Sequence, residues 1–232
     1  MKGCGSVVLE ELDKREALRY MGFGSSAPDP GTLALLEECE KRLLRVIKPC
    51  FVYRCFDIKA GNGGVEVLNT DLLLRGKDIG SHLSGCCKCI LLASTLSMQA
   101  DAVIRQYEAV DMAAAFVADM LASAAVEQVC ERAEDRITAE LTEFGDLYRT
   151  WRFSPGYGDF PLDIQGKFLD ILDAPKRIGL CANVNNILIP RKSVTAVIGL
   201  SEEKIPRARQ GCSICNMRDT CGFRKRGDHC GA

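Results

Sequence analysis

The order of apolar and polar positions along the chain predicts alternating blocks of helix and strand. Helices are predicted after Asp13 and Asp29, which can each cap a first turn, and in "PLDIQGKFLDIL" from Pro161. A long, alanine-rich stretch from about residue 98 to about residue 144 predicts further helix, broken near Ala109. The aromatic and β-branched run "CFVYRCFDI" predicts a strand, which "KAGNGG" turns into a hairpin with "VEVLNTDLLL".

The predicted elements favour an α+β fold. "CKCILLASTL", "IGLCA" and "VTAVIGL" indicate further strands, and "KDIGSH" a short helix. Strands and helices do not alternate regularly, which argues against a doubly wound parallel sheet. Alanines recur between Ala109 and Ala125 and offer a smooth helix face that can lie close against a sheet. We predict one domain over residues 1–205 and a short cysteine-rich tail over residues 206–232.

Composition narrows the class of function. The 232 residues carry a formal net charge of −1, with a pI near 6.2, which argues against a nucleic-acid-binding protein. The N-terminus lacks the apolar core of a secretion signal, and apolar runs are interrupted by charges before they reach the length of a membrane span. The sequence therefore predicts a cytoplasmic protein, whose 13 cysteines are thiols or metal ligands.

The stretch "RFSPGYGDFP" (152–161) is the strongest candidate for a binding loop. Pro155 and Gly156 fit the two central positions of a type II turn, which would direct Arg152 and Tyr157 from its two arms into a common space. A helix that starts at Asp159 would favour an anion at its N-terminus. The combination suits a carboxylate ligand held by Arg152. In the alternative interpretation the loop is an interhelical turn, with Arg152 in solvent and Asp159 as a cap.

The tail is a candidate metal site. Cys212, Cys215, Cys221 and Cys230 supply four thiols in a segment with little apolar content, which a zinc ion or an iron–sulfur cluster could fold. The spacing does not decide between these metals, and a tail with reactive free thiols is the alternative. Cys86, Cys87 and Cys89 lie where a strand should begin and indicate core packing. His82 has no catalytic motif around it, so we expect a structural role.

Two motifs carry a resemblance to a known family. Arg152-x3-Gly156-Tyr157 resembles the RxxxGY motif of the S-adenosylmethionine-binding reactivation domain of cobalamin-dependent methionine synthase. "IPRKSVTAVIGL" is similar to the family's Pro-x-x-Ser-Val strand through Pro190, Ser193 and Val194. Along residues 8–205, "REALRYMGF", "CFVYRCFDI" and "LLASTLS" also resemble the small stand-alone bacterial members.

The resemblance implies a fold and a role in methionine biosynthesis. The family fold is a curved, twisted antiparallel sheet flanked by helices. It implies that the chain binds S-adenosylmethionine, with Arg152 on the ligand's carboxylate and Tyr157 and the Gly156 backbone lining the site. The family returns an oxidised cobalamin to methylcobalamin, using an electron from an external donor and a methyl group from S-adenosylmethionine. Such a chain would act as an accessory to methyl transfer, without a catalytic dyad of its own.

Two features of this chain depart from the large synthase. There is no room for a cobalamin module, so the cobalamin would arrive on a partner: a methionine synthase or another corrinoid methyltransferase, with a reductase as a further candidate partner. The cysteine tail is also extra, and we hypothesise that it passes the electron through an iron–sulfur cluster, with structural zinc as the competitor. The alternative to this function is a non-enzymatic interaction module that a bound metal stabilises. An ordinary methyltransferase is disfavoured because no Gly-rich loop follows a first strand.

Overall fold

The computed structural model describes residues 1–23, 26–143 and 147–204. Its strands are β1 (Lys2–Ser6), β2 (Cys50–Gly61), β3 (Gly64–Val67), β4 (Leu73–Leu74), β5 (Lys88–Thr95), β6 (Tyr148–Arg149), β7 (Cys181–Ala182), β8 (Leu188–Ile189) and β9 (Ser193–Ser201). Its helices are α1 (Lys14–Tyr20), α2 (Pro30–Leu44), α3 (Lys77–His82), α4 (Met98–Glu108), α5 (Met112–Glu143), α6 (Gln165–Leu172) and α7 (Ala174–Ile178), with a 3₁₀ turn at Leu162–Ile164. The tail cysteines predicted to bind a metal lie outside the described residues.

An antiparallel sheet forms the centre of the fold, which confirms the predicted α+β class. Its seven strands include the path β4-β3-β2-β5-β9-β6, and β1 pairs with β2 beside residues 50–54. The long central pairs are β2 with β5 and β5 with β9. The predicted hairpin is also confirmed, since β2 pairs with β3 across the glycine-rich turn. A separate two-stranded ribbon joins β7 to β8.

Helices cover both faces of this sheet, so the strands alternate between two hydrophobic cores. In β5, Ile90 and Leu92 belong to the core formed with α1, α2, α4 and α5, whereas Leu91 and Ala93 belong to the core formed with α3, α6 and α7. All four side chains are fully buried. The sequence of a central strand that is buried on both faces is a nearly continuous run of apolar residues, and "CILLAS" in β5 is such a run.

Helix α5 packs its alanine face into the first core. Ala118, Ala122 and Ala125 are fully buried there. The helix is long and apolar enough to cross a membrane by length and composition, but 61% of that window is buried inside the fold. This burial is what a core helix requires. The predicted cytoplasmic location stays a prediction.

Short polar residues cap the beginnings of α1, α2 and α5, and the sequence predicted the first two of these caps. Asp13 accepts the Glu16 amide at α1, and Asp29 accepts the Gly31 and Thr32 amides at α2. The predicted break near Ala109 is confirmed: Asp111 accepts the amides of Ala113 and Ala114 and starts α5 afresh. Such caps satisfy amides that have no partner within the helix.

The cysteines at the start of β5 are packed rather than assembled into a site. Cys89 is completely buried in the second core, and its burial holds the pKa of the thiol far above the ordinary value. Burial also raises the pKa of the half-buried Cys86 to about 11. Such thiols stay protonated and unreactive near neutral pH. This agrees with the core-packing interpretation for Cys89.

Candidate functional site

The candidate loop begins where the chain leaves the edge of the sheet. β6 pairs with the end of β9, and the Thr150 amide donates to the Gly199 carbonyl at 2.9 Å. Phe153 then forms a bridge with Val197, each amide donating to the other's carbonyl. After this bridge the chain turns away from the strand. Residues 148–153 are therefore held against β9, and the rest of the candidate loop, residues 154–161, follows immediately.

The turn in this loop has the predicted form. The Tyr157 amide donates to the Ser154 carbonyl at 3.2 Å, and Gly156 has a φ of 96°. These features match a type II turn with Pro155 and Gly156 at its centre, where a positive φ favours glycine. The Gly156 amide donates across the loop to the Phe160 carbonyl at 2.8 Å. The loop is thus closed on itself.

Asp159 caps a different helix from the one predicted. Its carboxylate accepts the backbone amides of Lys77 and Asp78, at 2.7 and 3.0 Å, which begin α3. The N-cap position of α3 is Gly76, which has no side chain for the purpose. The following helix begins as a 3₁₀ turn after Pro161, without a side-chain cap. The prediction that Asp159 begins the helix after the loop was therefore wrong, because this carboxylate caps a helix that is distant in sequence.

Gly158 allows the loop to approach α3 closely. It has a φ of 56°, and a Cβ atom at this position would lie 1.9 Å from Asp78 Oδ2. Asp78 Oδ2 in turn accepts the Asp159 amide at 3.2 Å. The reciprocal Asp78–Asp159 contacts therefore fasten the loop to α3, and they require glycine at position 158.

Arg152 lies neither in solvent nor in an empty pocket. Its Nη2 donates to Glu127 Oε2 at 2.7 Å, and its Nη1 lies 2.7 Å from Glu134 Oε1. The side chain is 19% exposed, while the Nη1 atom is buried and forms no well-directed hydrogen bond. The exposed part of the side chain therefore lies away from Nη1. Both carboxylates come from α5, so Arg152 bridges the sheet edge to this helix.

The two carboxylates around Arg152 differ in their surroundings. Glu134 is 12% exposed and also contacts the guanidinium of Arg149, so it lies between two cations. Glu127 is 38% exposed, and Arg152 is the one cation with which it pairs among the described residues. Burial raises the pKa of Glu127; Arg152 opposes this, and Glu131, Glu16 and Glu134 add to it. Glu127 is thus the less stabilised partner.

Aromatic side chains line the other side of residues 150–153. The His82 ring meets Trp151 edge to face, with centroids 4.9 Å apart, and stacks with Phe153 at 5.1 Å. His82 Nε2 is 2.9 Å from Thr150 Oγ1, and burial lowers the pKa of this imidazole to about 4. His82 therefore packs as a neutral ring, in the structural role that the sequence predicted.

The edge of β9 is open beside the loop. Val197 directs its backbone groups toward Phe153, and by strand alternation Ser193 and Thr195 direct theirs toward the same edge. Within the described ranges no strand pairs with residues 193–196 on that side. The two motifs of the resemblance, from Arg152 onward and from Pro190 onward, are therefore neighbours along one edge.

Lys192 is a residue of this edge that the sequence did not single out. It is 9% exposed; its Nζ lies 2.8 Å from Asp119 Oδ1 and donates to Ser123 Oγ at 2.9 Å. Asp119, Ser123 and Glu127 recur at every fourth position of α5 and so share one face. This spacing was the signal that could have identified them. The polar strip of α5 (Asp119, Ser123, Glu127 and Glu134) faces the sheet edge along its length.

The Tyr157 ring lies at the surface of the loop. The side chain is 67% exposed. Among the described residues no hydrogen bond or cation–π contact joins it to Arg152, whose guanidinium is directed toward α5. The common space for the two side chains therefore stays a prediction. Gly156 is exposed next to Tyr157, so its backbone is accessible from outside.

A second concave surface lies between the β2–β3 hairpin and α3. This cavity of about 440 Å³ is lined mainly by glycines, together with Lys77 and Asp159. The Asp159 carboxylate is already occupied by the amides of α3. The cavity therefore offers little convergent side-chain chemistry. Residues 1–23, 26–143 and 147–204 also contain no cluster of three or more side chains suited to a metal. The edge around Arg152 is the better candidate site.

Comparisons with known proteins identify the fold. No protein-family model matches the chain, and no curated protein matches it. Among solved structures, a crystal structure of the MetH reactivation domain bound to AdoHcy is similar over 98% of this chain and 86% of that one, with a TM-score of 0.61 and 14% identity. The fold implied by the two sequence motifs is thereby confirmed, and the chain has the fold of the MetH reactivation domain.

Proposed function

We propose that this chain binds S-adenosylmethionine at the β9 edge and supports the reductive reactivation of a cobalamin carried by a partner protein. The proposal is supported by the fold, which it shares with a domain crystallised with S-adenosylhomocysteine (AdoHcy). It is supported further by the Arg152-x3-Gly156-Tyr157 motif, which resembles that of this family. The partner would be a methionine synthase or another corrinoid methyltransferase.

The observation that carries the proposal is the setting of Arg152. Glu127 and Glu134 hold the guanidinium of Arg152 next to the open edge of β9. This group is therefore oriented in advance for a planar carboxylate ligand. Glu134, shared with Arg149, would keep the guanidinium in place while a ligand is bound. The Gly156 backbone and the exposed ring of Tyr157 would line the same site, with the ring available for stacking on an adenine.

Methyl transfer would depend on positioning. S-adenosylmethionine supplies an activated methyl group, so the chain would need to orient the ligand rather than donate or accept a proton. The neutral, buried His82 agrees with this, since it is unsuited to act as an acid or a base near pH 7. We propose that the electron reaches the partner's cobalamin from an external reductant, and that Cys212, Cys215, Cys221 and Cys230 bind an iron–sulfur cluster or zinc. Metal analysis and visible absorption of anaerobically purified protein test the tail.

Ligand binding is tested by calorimetric titration with S-adenosylmethionine and AdoHcy. Arg152→Ala should weaken binding about ten- to a hundred-fold, because a charge-assisted hydrogen bond contributes about 1.5–3 kcal/mol. Arg132→Ala is the matched control, since Arg132 is an exposed arginine of α5 in a loose 4.0 Å pair with Asp135. Arg152→Lys keeps the positive charge between the two carboxylates and separates loss of the guanidinium fork from loss of folding. Saturable binding that is equally strong in all variants would exclude Arg152 from the site.

A further inference from the structure

We propose that Glu127 is a specificity-determining residue, which receives the α-ammonium group of the ligand while Arg152 receives its carboxylate. The inference rests on the proposed function and assigns the part of that site that recognises an amino acid. It predicts that the site selects adenosyl compounds with an intact α-amino acid end. Sequence motifs gave no indication of it, since Glu127 lies 25 residues before Arg152 along the chain.

The geometry places an anion and a cation side by side. Glu127 Oε2 and Arg152 Nη2 are 2.7 Å apart. The carboxylate and the ammonium group of an α-amino acid are attached to the same carbon atom, so they present a complementary pair of charges at similar spacing. A ligand of this kind can replace the Glu127–Arg152 ion pair with two new ion pairs and leave neither protein charge without a partner.

Glu127 is the acid that can exchange its partner. Its side chain is 38% exposed, against 12% for Glu134. Among the described residues its Oε1 has no hydrogen-bond partner, so one oxygen is available to an incoming donor. Glu134 lies between Arg149 and Arg152 and is enclosed. Glu134 is therefore a positioning residue for Arg152, whereas Glu127 faces the ligand.

The surrounding charges favour a cation at Glu127. Glu131 and Glu134 on α5 and Glu16 on α1 lie near enough to disfavour the ionised form of Glu127, and burial acts in the same direction. The phenol of Tyr20 on α1 is also close, and Arg152 is the opposing charge from the sheet edge. An ammonium group would offset this accumulated negative charge. A ligand that carries only a carboxylate would instead compete with Glu127 for Arg152.

The experiment compares two ligands on the full-length chain by calorimetry. One is AdoHcy, and the other is 5′-deoxy-5′-(3-carboxypropylthio)adenosine, which differs only by lacking the α-amino group. The wild type should bind AdoHcy at least ten-fold more tightly than the deamino compound. Glu127→Gln should reduce this preference to about three-fold or less. Asp135→Asn, which removes a carboxylate from an exposed position about two helical turns further along α5, should retain it.

The outcomes separate the two proposals. If the wild type binds AdoHcy and Glu127→Gln keeps the full preference, the assignment of Glu127 is wrong while ligand binding at the site stands. An equal affinity of the wild type for both compounds overturns the assignment without any variant, so it does not depend on how Glu127→Gln folds. If neither compound binds to the wild type, the proposed function and this inference are overturned together. Thermal unfolding of each variant, followed by circular dichroism, checks the fold.

Discussion

His82 is a residue whose burial has a measurable consequence for stability. Because the pKa of the imidazole is lowered to about 4 in the folded chain, the unfolded chain binds a proton at higher pH, near the ordinary value of 6.5. The free energy of unfolding should therefore fall as the pH drops from about 6.5 to about 4, by up to about 1.4 kcal/mol per pH unit from this group. Above pH 6.5 the group contributes no pH dependence.

Urea unfolding at a series of pH values measures this effect against His82→Gln, whose amide can still bond to Thr150. The difference in stability between the two chains should change over that interval and be constant above it. In an NMR titration, one of the two imidazoles should remain neutral at pH 5, and its signal should disappear in the variant. A His82 signal that titrates near pH 6.5 would contradict the burial argument.

Sequence reasoning at the level of single residues succeeded where the cause is local. The turn at Ser154–Tyr157 follows from Pro155 and Gly156 alone, and its hydrogen bond is present. The partners of Arg152 are Glu134 and Glu127 of α5, which precede it by 18 and 25 residues. Nothing next to Arg152 in the sequence therefore predicted these ion pairs. Long-range ion pairs are set by how α5 packs against the sheet edge.

At the level of elements, the loop and α3 should behave as one unit. Asp159→Ala removes the acceptor of the Lys77 and Asp78 amides, and Asn at this position keeps one side-chain oxygen. Hydrogen exchange at these amides should become faster in Asp159→Ala than in Asp159→Asn, and both should exceed the wild type. The same backbone amides lower the pKa of the Asp159 carboxyl, so the cap should persist well below neutral pH and weaken when this group is protonated.

Asp170→Ala is the control for this prediction, since Asp170 is an exposed acid on the neighbouring helix α6. Exchange at α3 should be unchanged in this variant. Unchanged exchange in Asp159→Ala as well would mean that α3 does not depend on the loop. The error in the sequence prediction has a plain physical origin: Asp159 was assigned to the nearest helix in sequence, whereas folding brought the uncapped amides after Gly76 closer.

At the scale of the whole molecule, the architecture was more predictable than the site. Apolar runs, turn residues and helix caps depend on neighbours in sequence, and they identified the central strands and the α4–α5 break. The β9 edge is assembled from segments far apart in the chain, and its polar strip from α5 became visible only once the strand order was known. The predicted division of the chain into residues 1–205 and 206–232 stays a prediction, because the structure does not describe residues 205–232.

A chain ended after residue 204 should fold and bind ligand like the full-length protein. Among the described residues, the last member of either hydrophobic core is Leu200. We expect the midpoint of thermal unfolding to change by no more than a few degrees and the affinity for AdoHcy by less than three-fold. Any zinc or iron bound by the full-length chain should be absent from the shortened one, because Cys212, Cys215, Cys221 and Cys230 are removed. If the shortened chain lost AdoHcy binding while it remained folded, the tail would be part of the ligand site and the predicted domain boundary would be wrong.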